Sequence, residues 1–201
     1  LWAVGGGGTI IHYNGREWKD VPSPTTEWLL DVWAIGPQDA WAVGYTGALL
    51  HWDGQRWATV PSQTTKRLSG VWGTAPDDVW VVGEDGLIRH YDGRSWKEAS
   101  SPTKKYLHDV WGASKTDVWA GGVDGTILRY DGNRWSVLKA FTPHVIYSLW
   151  GRGPREVYAH ADGIYRWDGT RWEHTGLGRT PFLGAVWMRS PNDLWSTFGN
   201  G

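Results

Sequence analysis

No cysteine occurs among the 201 residues, which excludes a disulfide scaffold and any thiolate-held zinc or iron–sulfur site. A basic surplus is also missing: the net charge is −1 and the sequence pI about 6.7. A nucleic-acid binder ordinarily carries an excess of positive charge, so no nucleic-acid partner is expected. No apolar run approaches the roughly 18 residues of a membrane-spanning helix. Room for helices is almost lacking. With 28 glycines and 10 prolines, the longest stretch free of both is residues 25–35, about the length of one average helix. The chain starts on Leu1 with neither a methionine nor a leader peptide, and is read as a mature product or a fragment.

Tryptophan is plentiful instead, with 18 residues, and it keeps a period. Trp2, Trp41, Trp80 and Trp119 lie 39 residues apart, with Tyr158 next in the series. Trp18, Trp57, Trp96 and Trp135 do the same and continue at Trp172; Trp33, Trp72, Trp111 and Trp150 continue at Trp187. The last step of the second and third series is 37 residues, and the deficit falls in residues 160–162. A fourth aromatic slot holds Tyr13, Trp52, Tyr91, Tyr130 and Trp167, and only Trp28 lies outside the pattern. Self-similarity at this interval is the signature of a repeat architecture. The repeats are bounded at 1–26 (partial), 27–65, 66–104, 105–143, 144–180 and 181–201 (partial).

One repeat runs L-x-D-V-W-G-x-x-P-x-D-V-W-A-V-G-x-x-G-x-I-L-H-Y-D-G-x-x-W-x-x-V-P-S and breaks into four short β-favouring pieces. In the second repeat these are 29–33, 40–43, 48–52 and 56–60, each bounded by Gly, Pro, Asp or Asn. Asn14-Gly15 and the Asp-Gly pairs at 53, 92, 131 and 168 close the hairpin between the third and fourth pieces. Gly8, Gly47, Gly86, Gly125 and Gly163 recur where only glycine sits without strain. The acidic slot Asp39, Asp78, Asp117, Glu156 and Asp193 is expected to accept turn amide hydrogens. A four-stranded meander repeated in this way buries its faces only against its neighbours. Radial packing as a β-propeller achieves that with short, protected edges, and 17 tryptophans are expected to fill the spaces between blades.

The run from Asp117 to Trp135, D-V-W-A-G-G-V-D-G-T-I-L-R-Y-D-G-N-R-W, and its siblings resemble the tryptophan-rich propeller repeats of secreted and cell-envelope proteins of myxobacteria and other bacteria. They are more distantly similar to Asp-box repeats and to the propellers of photosystem II assembly factors. The D-G-x-x-W turn is one residue tighter than the Asp-box turn. The resemblance implies that strand 29–33 is innermost and that the strand after Asp-Gly is outermost. The expected fold is all-β, a propeller of four-stranded antiparallel blades with about five 39-residue repeats. It is either a five-bladed ring, closed when strand 182–187 completes the first blade, or part of a larger ring such as one of seven blades. Because strand 194–198 duplicates the slot already held by 1–4, the fragment is the preferred reading.

Signs of catalysis are scarce. No P-loop, dinucleotide fingerprint, H-E-x-x-H or EF-hand loop is present. His12, His51 and His90 share a slot that becomes Arg129 and Arg166, which suits a polar, partly cationic side chain rather than a metal ligand. Neither a metal nor any other cofactor is expected. A sialidase-like glycoside hydrolase is the nearest enzyme on this architecture, and its Arg-Ile-Pro signature is absent. Carboxylates repeat with the turns, whereas catalysis demands one asymmetric constellation; no enzyme is expected.

In a repeat protein, structural slots must recur, so functional residues are sought where the siblings differ. One variable slot holds Trp28, Arg67, Tyr106, Val145 and Phe182, and two positions on stand Leu30, Ser69, His108, Tyr147 and Gly184. Turns on the same face add Tyr45, Glu84, Asp85, Asp124 and Asp162. The candidate ligand-binding set is therefore Trp28, Tyr45, Arg67, Asp85, Tyr106, His108, Asp124, Tyr147, Asp162 and Phe182. Aromatic faces stack on sugar rings and carboxylates accept from hydroxyls, which points to a glycan or cell-surface polymer. Trp, Tyr and Arg equally dominate protein-interface hot spots, which points to a protein partner. An extracellular or periplasmic bacterial location is expected from composition and resemblance.

Overall fold

Residues 1–177 are described throughout by the computed structural model, and residues 183–190 and 193–198 by their backbone. The repeat dictates the elements. In the first repeat these are β1 (Trp2–Val4), β2 (Ile10–Tyr13) and β3 (Trp18–Asp20). The second has β4 (Leu29–Gly36), β5 (Asp39–Gly44), β6 (Leu49–Trp52) and β7 (Trp57–Thr59). The third has β8 (Leu68–Ala75), β9 (Asp78–Gly83), β10 (Ile88–Tyr91) and β11 (Trp96–Glu98). Next come β12 (Leu107–Ser114), β13 (Asp117–Gly122), β14 (Ile127–Tyr130) and β15 (Trp135–Val137). The fifth repeat supplies β16 (Ser148–Gly153), β17 (Glu156–His160), β18 (Ile164–Trp167) and β19 (Trp172–His174), and the chain continues in β20 (Leu183–Ser190) and β21 (Asp193–Phe198). Each full repeat is one antiparallel sheet with its strands in chain order; β1–β3 form a three-stranded sheet and β20–β21 a two-stranded one. Two compact units divide the chain, Leu1–Ser100 and Ser101–Gly201.

The turns follow the expected chemistry with two exceptions. Asp53 Oδ1 accepts from the amides of Gln55 and Arg56, both at 2.8 Å, and Gly54 takes φ +92°. Asn14, Asp92, Asp131 and Asp168 repeat this Asx turn. Gly47 lies at φ +76°, and a Cβ there would stand 2.0 Å from the Thr64 carbonyl oxygen, so glycine is obligatory. Gly163, in the shortened turn, is the first exception. It does not take left-handed backbone, and a Cβ there would meet only the tip of the exposed His174 ring, at 2.3 Å, which can move aside.

The acidic slot is the second exception. Instead of turn amides, three of these carboxylates meet the His/Arg slot across the hairpin, while Glu156 accepts from the Tyr158 hydroxyl at 3.0 Å and the Asp193 side chain lies outside the described residues. Asp39 Oδ1 lies 3.3 Å from His51 Nε2, Asp78 Oδ1 2.7 Å from His90 Nε2, and Asp117 Oδ1 2.7 Å from Arg129 Nε. Each His or Arg is the cross-strand partner of the first-series tryptophan and lies over its ring. The centroids of Trp41 and His51 are 4.3 Å apart, those of Trp80 and His90 4.1 Å, and the Arg129 guanidinium stands 4.7 Å from the Trp119 ring. Imidazole and guanidinium both stack on indole and both meet a carboxylate, which explains why the slot alternates.

Between sheets the tryptophans interlock. Trp41 meets Trp96 of the following sheet edge-on at 5.3 Å, as Trp119 meets Trp172 at 5.7 Å. A buried ring of this kind covers about 150–250 Å², equivalent to about 4–6 kcal/mol as an upper bound. Trp18 departs from the expected core. Its siblings Trp57, Trp96 and Trp135 are 4–6% exposed while Trp18 is 48% exposed; Trp57 and Trp96 meet the first-series rings Trp2 and Trp41 at 5.2 and 5.3 Å, whereas Trp18 meets Tyr13 of its own sheet at 5.4 Å. The side chains of Trp187 and Trp195 lie outside the described residues.

First strands are tied to first strands. The Asp31 carboxylate accepts from Val32 N in its own strand and from Val71 N in the next sheet, each at 2.8 Å. Asp109 joins Val110 and Leu149 in the same way, and the Trp33 indole donates to the Gly73 carbonyl at 2.8 Å. Burial outweighs these hydrogen bonds and pushes Asp31 up to about 6.

Candidate functional site

The variable residues that lead into the first strands are held by their backbone. Leu29 N donates to Gly5 O at 3.1 Å, and Tyr45 N to Trp28 O at 2.9 Å. The same closure recurs as Glu84 N to Arg67 O and Val123 N to Tyr106 O, both 3.0 Å. It requires a glycine at the end of the second strand, since a Cβ on Gly44, Gly83 or Gly122 would lie 2.0–2.1 Å from that carbonyl oxygen.

In the first unit this brings Trp28, Tyr45 and Arg67 into one row. The Arg67 guanidinium stands 5.1 Å from the Tyr45 ring centre, and Nη1 donates to the Tyr45 hydroxyl at 3.1 Å. The Trp28 ring meets Tyr45 edge-on at 6.3 Å and lies over the Gly6 backbone, where a Cβ would come within 3.2 Å of it. Trp28 nevertheless remains 61% exposed. The result is a preorganised aromatic shelf with one cation.

The second unit gathers a different set. The rings of Tyr106 and His108 meet edge-on at 4.5 Å, and those of His108 and Tyr147 are 5.6 Å apart. Tyr147 also approaches the buried His160 ring at 5.8 Å, and burial holds that imidazole below its usual range. Phe182 lies outside the described residues.

The candidate carboxylates each meet a basic side chain of their own repeat. Lys66 Nζ lies 3.2 Å from Asp85, Lys105 Nζ 3.3 Å from Asp124, and His144 Nε2 3.7 Å from Asp162. Burial pushes Asp162 up, but the hydrogen bonds from Thr142 and Tyr165 and the charge of His144 outweigh it, leaving the carboxyl below its usual range. Asp85 and Asp124 also take left-handed backbone, at φ +56° and +52°, a conformation aspartate tolerates better than most residues. The left-handed backbone is what recurs, since Gly7 and Thr46 adopt it in the same slot, at φ +65° and +54°.

Sequence reasoning missed a cleft of about 650 Å³ between the β4–β7 and β8–β11 sheets, with Asp39, His51, Gln63, Asp77, Tyr91 and Arg94 among its lining residues. Two of its walls bond to Arg89, which is only 5% exposed. Nη2 of this arginine donates to Gln63 Oε1 at 2.8 Å and to the Trp96 carbonyl at 3.1 Å. The sequence signal was a charged residue in a slot that is otherwise Ile11, Leu50, Leu128 and Tyr165.

Neither a family model nor a curated protein matches the chain. Solved structures do. YCF48 bound to a D1 peptide is similar with a TM-score of 0.70 at 22% identity, over 99% of this chain and 67% of that one. YCF48 from Cyanidioschyzon merolae gives 0.70 at 15% identity, over 93% of this chain and 70% of that one. The computationally designed Ika8 protein gives 0.69 at 17% identity, over 100% of this chain and 66% of that one. The fold is a β-propeller. This likeness extends to architecture, and the expected four-stranded antiparallel blades are present in β4–β19.

Proposed function

We propose that this propeller is a non-catalytic binding scaffold whose Trp28–Tyr45–Arg67 shelf takes a segment of a protein partner. The observation that carries the reading is the exposed Trp28 ring, joined through Tyr45 to Arg67 in a row fixed by backbone hydrogen bonds. Those three residue types supply most binding energy at protein interfaces, and preorganisation reduces the entropy lost on association. The peptide bound by the similar YCF48 supports this direction. One observation favours a glycan instead, namely the open face of Trp28. Against it, the groups expected to accept from sugar hydroxyls are already engaged: Asp85 pairs with Lys66 and Asp124 with Lys105, and Asp162 accepts from Thr142 and Tyr165. The tryptophan-rich bacterial repeat type and an extracellular or periplasmic location belong to the same proposal.

Peptide and glycan arrays probed with wild type, Trp28→Ala and Arg67→Ala test it. Peptide binding that weakens at least tenfold in both variants, with thermal stability unchanged, is expected. Binding to glycans alone transfers the shelf to the second reading. Binding that neither substitution disturbs removes the shelf from the function.

A further inference from the structure

Two slots of the repeat are broken in the same place. Arg89 stands where Leu50 and Leu128 are fully buried, and Gln63 stands where Pro24 and Pro102 occur in the neighbouring repeats. Gln63 also adopts φ +56°, which proline cannot reach. The two departures touch, through the Arg89 Nη2 to Gln63 Oε1 bond.

Packing does not require this pair. Phe141, Tyr165 and Trp172 occupy the same three slots in the seam between the β12–β15 and β16–β19 sheets as Gln63, Arg89 and Trp96. There they form an aromatic cluster, with Phe141 centred 4.7 Å from Tyr165 and stacked on Trp172 at 4.5 Å. A guanidinium in such a seam is costly unless a counter-charge meets it. Among the described residues no carboxylate pairs with Arg89. Its Nε is buried without a hydrogen-bond partner, and Nη2 has only neutral acceptors, the Gln63 amide and the Trp96 carbonyl. Nε and Nη2 form the side-on edge of the guanidinium, which a carboxylate takes with two parallel hydrogen bonds. The Gln63 amide oxygen satisfies one of those two donors. Its side chain is exposed and lines the 650 Å³ cleft, with Arg89 behind the lining, so rotation of the amide is the step that would expose this edge to the cleft.

We propose that the cleft between the β4–β7 and β8–β11 sheets seats the carboxylate group of a ligand on the side-on edge of Arg89, with the Gln63 amide as a displaceable cap. The missing counter-charge is then supplied by the ligand. This seat is separate from the Trp28 shelf and does not depend on it.

Thermal unfolding at constant ionic strength tests the seat, with sodium glucuronate and sodium N-acetylglutamate as carboxylate probes and sodium chloride and sodium phosphate as controls. At ten times its dissociation constant, a bound carboxylate raises the Tm of a chain this size by about 3–6 °C. The rise is expected to saturate in wild type and vanish in Arg89→Leu. Leucine is the residue of two siblings, so that variant is expected to fold with unchanged or higher Tm when no ligand is present. In Gln63→Ala, which removes the cap and keeps the arginine, affinity is expected to increase severalfold. A shift that persists in Arg89→Leu, no saturable shift with either carboxylate, weaker binding in Gln63→Ala, or a larger saturable shift with phosphate would overturn the proposal. Glucuronate acting alone, or N-acetylglutamate acting alone, identifies the carrier as an acidic sugar or an acidic amino-acid side chain.

Discussion

Replacing Asp31 by alanine isolates the tether between neighbouring first strands. The substitution strips the acceptor from Val32 N and Val71 N, and a buried amide left unpaired costs about 1–3 kcal/mol. The carboxyl itself has a pH signature, because burial pushes it up to about 6 from 3.8. Between those values the folded state binds more protons than the unfolded state, so this group's stabilisation falls as pH rises. It is fully present below pH 3.8 and lost through pH 6. Two pH units correspond to about 3 kcal/mol, an upper bound for a side chain that keeps some contact with water. Urea unfolding of wild type and Asp31→Ala across pH 4–7.5 is the assay, and subtracting the two curves cancels the titrating groups that do not interact with Asp31. The wild-type advantage is expected to be largest near pH 4 and to shrink by up to about 3 kcal/mol by pH 7. A difference that is flat, or that grows with pH, would refute the claim that burial outweighs the two amide hydrogen bonds.

Sibling positions supply further tests by chemical denaturation. Trp57→Ala is expected to cost about 3–5 kcal/mol and Trp18→Ala less than about 1 kcal/mol, since the first ring is 4% exposed and the second 48%; equal losses would contradict the seam packing. Gly44→Ala forces a Cβ to within 2.1 Å of the Trp28 carbonyl oxygen. It is expected to cost at least about 1–3 kcal/mol and to weaken binding at the shelf, whereas Gly36→Ala, with nothing within 4 Å, is expected to be neutral within about 0.5 kcal/mol. His90→Arg imports a sibling's residue above Asp78 and is expected to be neutral, while Asp78→Ala, at a carboxylate 3% exposed, is expected to lose about 1–3 kcal/mol. A large loss in His90→Arg would show that the slot distinguishes imidazole from guanidinium.

The lesson of the acidic slot is that recurrence identifies a structural position without identifying its bond. Asp39, Asp78 and Asp117 were legible as repeating acids preceding a strand. Their partners His51, His90 and Arg129 lie 12 residues further on, and only strand pairing brings them opposite. Trp28 was legible as the one tryptophan off the period, and Arg67 and Tyr45 as variable neighbours. Their contact was not legible, since Arg67 and Tyr45 are 22 residues apart and belong to adjacent sheets. Arg89 was visible as the one charge in an otherwise uncharged series, but its meaning depends on Gln63 lying across the seam.

From the one-dimensional order alone came the unit of 39 residues, its four strands, its Asp-Gly and glycine turns, the two-residue deletion and the propeller architecture. These depend on local conformational preference and on the spacing of apolar rings, which the chain carries without reference to distant partners. Tertiary structure alone decided which carboxylates are engaged, which tryptophan of a series stands in solvent, and where an arginine is buried with no counter-charge among the described residues. Those outcomes turn on which groups meet across a seam and whether water reaches them, and both are properties of the packed sheets rather than of any one repeat.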